Sequence, residues 1–233
     1  MRTTRACVVV MILLILCAGT VAAQTVAGKF AITPHVGLGI PVGDFADTDT
    51  TNANRGGATT GIILGGSGEY YFSENFAAGV RFLYNRFGID PDTYGDRLMG
   101  GTIDGHLTAT EFGAFIKYIF TSQSTTKVYG TAGFLFSKVK LKGDYSIPDL
   151  DLTGSGEASL ESAFGMEGGI GVMHMLKDNV AICGEFTYTT RMTDGKNADV
   201  TDPFSGETST EETKGNADSL GLKAGVSFFF GGQ

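Results

Sequence analysis

Taken two residues at a time, residues 219–230 separate into two faces. Leu220, Leu222, Ala224, Val226, Phe228 and Phe230 share one face; Ser219, Gly221, Lys223, Gly225 and Ser227 share the other, with Phe229 as the exception. A period of two is the period of a β-strand. The apolar face is long enough to cross a hydrocarbon layer, which takes about 9–11 tilted strand residues. The pattern recurs in seven earlier segments: 29–42, 61–72, 76–87, 107–120, 128–140, 162–176 and 180–192. In 107–120, Phe112, Ala114, Ile116, Tyr118 and Phe120 oppose Glu111, Gly113 and Lys117. In 180–192, Val180, Ile182, Phe186, Tyr188 and Met192 oppose Cys183, Glu185, Thr187, Thr189 and Arg191. The phase of 128–140 is the least marked; Phe134 and Phe136 set its even-numbered residues outward.

The connections alternate in length. Polar stretches at 44–60, 88–106, 141–161 and 194–218 read as long loops, whereas 73–75, 121–127 and 177–179 read as short turns. An antiparallel up-and-down meander with every long loop at one end produces that alternation, and outer-membrane barrels combine short turns on one side with long loops on the other. The expected fold is therefore all-β: an eight-stranded antiparallel up-and-down transmembrane β-barrel. Closure lets strands cross a membrane because every backbone group is then paired.

Alternation alone does not say which face is inside. Two features choose. Tyr70, Phe72, Phe76, Tyr118, Phe120, Phe228 and Phe230 cluster beside the short turns, as an interfacial aromatic girdle does. The polar faces carry Glu69, Glu111, Glu167 and Glu185 against Arg81, Lys117, Arg191 and Lys223. Four acids against four bases suit an enclosed network, because buried charges need partners. Keeping one face apolar through a hairpin requires an odd-length turn. Counting through 73–75 places Glu69 opposite Gly79 and diagonal to Arg81; counting through 177–179 places Glu167 diagonal to Arg191. Diagonal neighbours lie roughly 7–8 Å apart, within reach of long side chains. The expected pairs are therefore Glu69–Arg81 and Glu167–Arg191.

The first residues change the picture of location. Arg2 and Arg5 precede an apolar run and then Val21-Ala22-Ala23, the order of a cleaved secretory signal over 1–23, with a barrel domain over 24–233. Leu16 before Cys17 argues against a lipid-attachment site. Losing Arg2 and Arg5 takes the formal charge from −8 to −10, which argues against a nucleic-acid partner. Cys183 is then the one remaining cysteine, so neither an internal disulfide nor a cysteine metal cluster is expected.

The ordered alternation, Gly39-Ile40-Pro41-Val42-Gly43-Asp44-Phe45 closing the first segment, Glu111-Phe112-Gly113 with Lys117-Tyr118, and the aromatic last segment resemble the small OmpA/OmpX-like outer-membrane β-barrel proteins. The likeness covers the mature chain. It departs from the family in the Gly231-Gly232-Gln233 that follows Phe230 and in having no tryptophan. The resemblance implies insertion into a Gram-negative outer membrane by the barrel-assembly machinery, contact with outer-membrane lipid and lipopolysaccharide, and a monomer. The expected role is structural or surface-interacting, with acidic loops for an extracellular partner or for bridging divalent ions. An eight-stranded interior is just wide enough for its own side chains, so a wide pore is not expected.

Two rival readings remain. A barrel enzyme would need an acid–base or nucleophile–base pair at the outer rim. His106 with Asp104 stands near a long loop, but no serine at a readable spacing joins them. A soluble lipocalin-like carrier would turn the phenylalanine-rich faces inward. No phosphate-loop or EF-hand spacing occurs, so no cofactor or metal is assigned.

Overall fold

The computed structural model describes residues 25–48, 56–91, 102–147, 152–160, 162–193, 196–201, 208–212 and 215–231. The expected signal over 1–23 and the start at Gln24 lie outside them. Eight strands form the wall: β1 (Lys29–Val42), β2 (Ala58–Tyr71), β3 (Phe76–Ile89), β4 (Thr102–Ile119), β5 (Thr126–Ile147), β7 (Ala163–Lys177), β8 (Val180–Met192) and β11 (Asp218–Gly231). Three short strands lie outside the wall: β6 (Leu152–Leu160), β9 (Asn197–Thr201) and β10 (Thr208–Glu212). Consecutive wall strands pair antiparallel, β1 pairs β11, and β5 pairs β7, so the sheet closes on itself.

The faces sort as membrane physics requires. Phe30, Ile32, Leu38, Ile62, Leu64, Phe82, Phe112, Ile116, Phe134, Phe136, Ile170, Phe186 and Leu222 are all exposed on the outer surface. Glu69, Arg81, Glu111, Lys117, Glu167, Arg191 and Lys223 are buried inside. A soluble barrel has the opposite arrangement, so the lipocalin-like alternative is excluded. Even-numbered residues of β5 face outward, as Phe134 and Phe136 indicated. At the short-turn end Tyr70 and Phe72 stack edge to face at 5.1 Å, Tyr118 and Phe120 at 5.4 Å, and Phe76 and Tyr118 at 6.4 Å. These contacts form the girdle.

The structure corrects the long connections. The stretches 141–161 and 194–218 are not simple loops. β5 pairs β7 only as far as Ser137↔Ala163; from Lys140 onward it pairs β6, which pairs β9, which pairs β10. β4 likewise starts at Thr102, inside the stretch expected to be loop. Lys138, Lys140 and Lys142 alternate with Val139 and Leu141 as strand residues should. Lys138 and Lys140 close the expected fifth segment and Lys142 falls in the expected loop, since a lipid-facing strand does not carry lysines. Beyond the hydrocarbon that objection lapses, and the strand continues. The stretch 44–60 contains a 3-10 turn, Gly43–Phe45, whose Phe45 packs edge to face on Phe87 at 5.2 Å. The turn after β7 is shorter than expected, Asp178-Asn179, with a register shift between Met175 and Lys177 absorbing the difference.

The interior is layered. At the short-turn end Val26, Tyr71, Ile119, Tyr129, Met173, Met175 and Phe229 form an apolar floor. At the long-loop end Phe45, Phe87 and Ala217 form one apolar cluster, and Ala109, Val139, Leu160 and Ala198 form another. Charges fill the space between. Gly39 shows why small residues alternate on the inner face: a Cβ there would lie 2.7 Å from the Phe87 ring.

Candidate functional site: the lumenal charge network

The eight charged residues singled out above all point into the lumen, and cross-lumen pairs join them. Arg81 (β3) and Lys223 (β11) each meet both Glu167 (β7) and Glu185 (β8). Lys223 Nζ lies 3.2 Å from Glu167 and 3.0 Å from Glu185. Arg81 Nη1 lies 3.4 Å from Glu185 and also pairs with Glu167. The four side chains make an alternating ring of two cations and two anions. β3 and β8 stand on opposite sides of the closed sheet, so the ring braces the barrel across its width.

Two further pairs flank the ring. Arg191 Nε lies 2.5 Å from Glu111 Oε1, and its Nη1 donates to the Ala217 carbonyl at 3.1 Å and to Ser219 Oγ at 3.0 Å. Asn85 Nδ2 and Ser137 Oγ both donate to the same Glu111 carboxylate at 2.8 Å. Toward the floor Lys117 pairs with Glu69 and stands 4.5 Å from the Tyr129 ring centroid. Arg81 covers the face of Phe115 at 4.2 Å. Each charge thus has an opposite charge and at least one further contact, the condition under which buried ions are tolerated.

The register count was sound and the pairing was not. Glu69 faces Gly79 and Glu167 faces Thr189, as counted. Yet Glu69 pairs with Lys117 rather than Arg81, and Arg191 pairs with Glu111 rather than Glu167. Inward side chains of a narrow barrel converge on its axis, so residues on distant strands come closer than diagonal neighbours on one hairpin. Sequence reasoning also missed Phe115, Tyr129 and Lys127 as lumenal partners. Lys127 fell just before the fifth segment as drawn; it is buried, and its ammonium donates to the Ser122 carbonyl. The inward phase of β5 was the signal that could have found it.

Little space remains. A cavity of about 30 Å³ among His35, Arg81, Cys183 and Glu185 matches about one water molecule. The histidines stand apart. His35 lines that cavity; His174 Nδ1 meets Thr126 Oγ1 at 2.8 Å at the short-turn end; His106 lies on the β4 extension. A second, open cleft of about 640 Å³ lies on the outer face of the extended sheet, lined by Asp104, His106, Lys142, Asp144, Glu157 and Asp199. No group of three or more histidine, cysteine or acidic side chains suited to a metal occurs among the described residues.

A closed antiparallel eight-stranded sheet, apolar outside and charged within, defines a transmembrane β-barrel. The comparisons agree. The model of the outer membrane protein beta-barrel domain family matches residues 11–228. The chain belongs to that family and is an outer-membrane protein. Among solved structures, the outer membrane protein OprG from Pseudomonas aeruginosa has TM-score 0.59 at 14% identity, covering 91% of this chain and 100% of that one. A major outer membrane protein from Thermus thermophilus has TM-score 0.56 at 15% identity, covering 86% of this chain and 99% of that one. Both share the fold. No curated protein matches the chain in sequence.

Proposed function

We propose that this protein is a non-conducting, non-catalytic wall of the outer membrane whose work is done at the cell surface by its strand extension. The observation that carries the reading is the continuation of β5 past Ser137 into a second sheet with β6, β9 and β10. That sheet gives the acidic long-loop end a fixed polar face with an open cleft. β10 pairs β9 on one side only among the described residues. Such an edge offers unpaired backbone groups to another chain, and the exposed Glu212 guards it against indiscriminate pairing. The alternating ring of Arg81, Glu167, Glu185 and Lys223 supports the absence of an open pore. The partner this face suits is polar or cationic, engaged outside the cell. The reading includes export by a cleaved signal over 1–23, insertion by the barrel-assembly machinery of a Gram-negative envelope, and a monomeric barrel.

A planar-bilayer recording tests it. The purified barrel is expected to give no steady conductance, while removing residues 197–212 abolishes surface binding and leaves the barrel folded. A stable open channel in the intact protein contradicts the reading.

A further inference from the structure

The register aligns the outward residues of β3, β4 and β5 into rungs. Phe82 faces Phe112, and Phe112 faces Phe136; all three are at least half exposed, at 50%, 57% and 62%. They belong to the lipid-facing belt. The next outward rung toward the long loops is Tyr84, Thr110 and Lys138, and the one after it is Arg86, Thr108 and Lys140. At about 3.3 Å per residue, these rungs stand about 7 and 13 Å along the strands beyond the aromatic one. The polarity of one face thus changes within two rungs from phenylalanine to cation.

These cations are unevenly satisfied. Lys140 and Lys142 share the Glu157 carboxylate, at 3.3 and 2.9 Å. Arg86 and Lys138 are exposed and have no ion pair among the described residues. They are also localised. At the long-loop end, the outward positions of β1, β2, β7, β8 and β11 carry no lysine or arginine among the described residues. There the polar contact is instead acidic, with Tyr188 donating to Asp218 at 2.8 Å. In a chain of formal charge −8, this wall is the one that, among the described residues of the long-loop end, presents unpaired cations at the border of the hydrocarbon.

We propose that the outer face of β3–β5 binds the phosphate groups of a phosphorylated glycolipid of the outer leaflet. Arg86 and Lys138 take the phosphates, and Thr108 and Thr110 present hydroxyls between them. Phe82, Phe112 and Phe136 lie along the acyl chains of the same molecule. Three features fix the occupant: the cations continue the lipid-facing belt, they face away from the lumen, and their charge is opposite to that of phosphorylated headgroups. The inference rests on the orientation in the proposed function, with the long loops outside.

The test is a titration of the folded mature barrel in neutral detergent, read by native mass spectrometry. The probes are diphosphorylated lipid A, the same lipid stripped of phosphate, and inorganic phosphate. Wild type is expected to prefer the phosphorylated lipid. Arg86→Gln with Lys138→Gln is expected to lose about 30-fold, since each cation at an anionic membrane surface contributes about fivefold. Arg86→Lys with Lys138→Arg should retain binding, and wild-type affinity should fall as salt rises. Equal affinity for both lipids, an unchanged double glutamine variant, salt-independent binding, or full occupancy by inorganic phosphate at lipid concentrations overturns the inference. A heat-dependent shift on detergent gels reports the barrel separately: its loss counts against the barrel reading, and its retention without phosphate preference counts against this site alone.

Discussion

Lys223 and Glu185 are direct register partners on β11 and β8, and their side chains meet at 3.0 Å inside the lumen. The same two residues are also halves of the ring that includes Arg81 and Glu167. One contact therefore joins a local strand pair to a brace across the barrel. Removing the lysine leaves Glu167 and Glu185 sharing Arg81. Lys223→Ala is expected to destabilise the barrel by about 3–5 kcal/mol, the cost of stranding a buried charge. Urea unfolding in vesicles measures it. A cycle with Glu185→Gln should return a coupling of about 0.5–3 kcal/mol; strictly additive losses contradict the ring.

The floor makes a prediction about pH. Glu74, in the turn between β2 and β3, accepts a bond from Thr25 Oγ1, and others from the Val26 and Ala27 amides at 3.3 and 3.2 Å. These bonds strap the N-terminal residues across the floor, where Val26 is buried. Partial burial pushes the Glu74 carboxyl up, but the bonds from Thr25, Ala27 and Val26 and the charge of Lys127 outweigh it and hold the group below its ordinary value. A depressed carboxylate stabilises the strap fully above the unfolded pKa and loses that contribution as pH falls through the folded pKa. The Ala27 amide resonance should therefore titrate below the usual glutamate range in wild type and not at all in Glu74→Gln. A flat wild-type profile, or one unchanged in the variant, rejects the strap.

Lys196 and Lys214 lie in the stretch between β8 and β11, whereas Arg81, Lys117, Arg191 and Lys223 are buried in the lumen. Trypsin added to whole cells is expected to cut at Lys196 or Lys214 and to leave the wall strands intact, as mass analysis of the membrane fragment shows. Cleavage at these sites only after the envelope is opened means the orientation is the reverse.

The wall was legible in the sequence because each membrane strand obeys two rules at once, a period of two and an apolar outer face. Leu222 and Lys223 illustrate both in adjacent residues. β6, β9 and β10 were not legible because they obey only the first. Outside the hydrocarbon nothing forces one face to be apolar, so Thr153, Ser155 and Glu157 look like loop residues. The charged residues of the network were visible as inward positions. Lys223 and Glu185 are register neighbours, but the cross-lumen partners were not visible, because a register count fixes neighbours along the sheet and says nothing about distance across the lumen. Lys117 with Glu69 and Arg191 with Glu111 are set by closure, which arises only when β1 meets β11 and β5 meets β7.

The central claim is that the polarity of the barrel is inverted, lipid outside and charge within. Val226 and Lys223 lie on the same strand with opposite facings; Val226 faces Ile182 in the outward register and Lys223 is buried. The direct measurement is urea unfolding of Val226→Arg and Lys223→Arg barrels folded in lipid vesicles. Val226→Arg sets a cation against hydrocarbon and is expected to lose about 2–4 kcal/mol near the midplane. Lys223→Arg keeps the charge in the ring and is expected to change stability by less than about 1 kcal/mol. Equal stability of the two variants, or a wild-type chain that folds as a soluble monomer without lipid or detergent, contradicts the account.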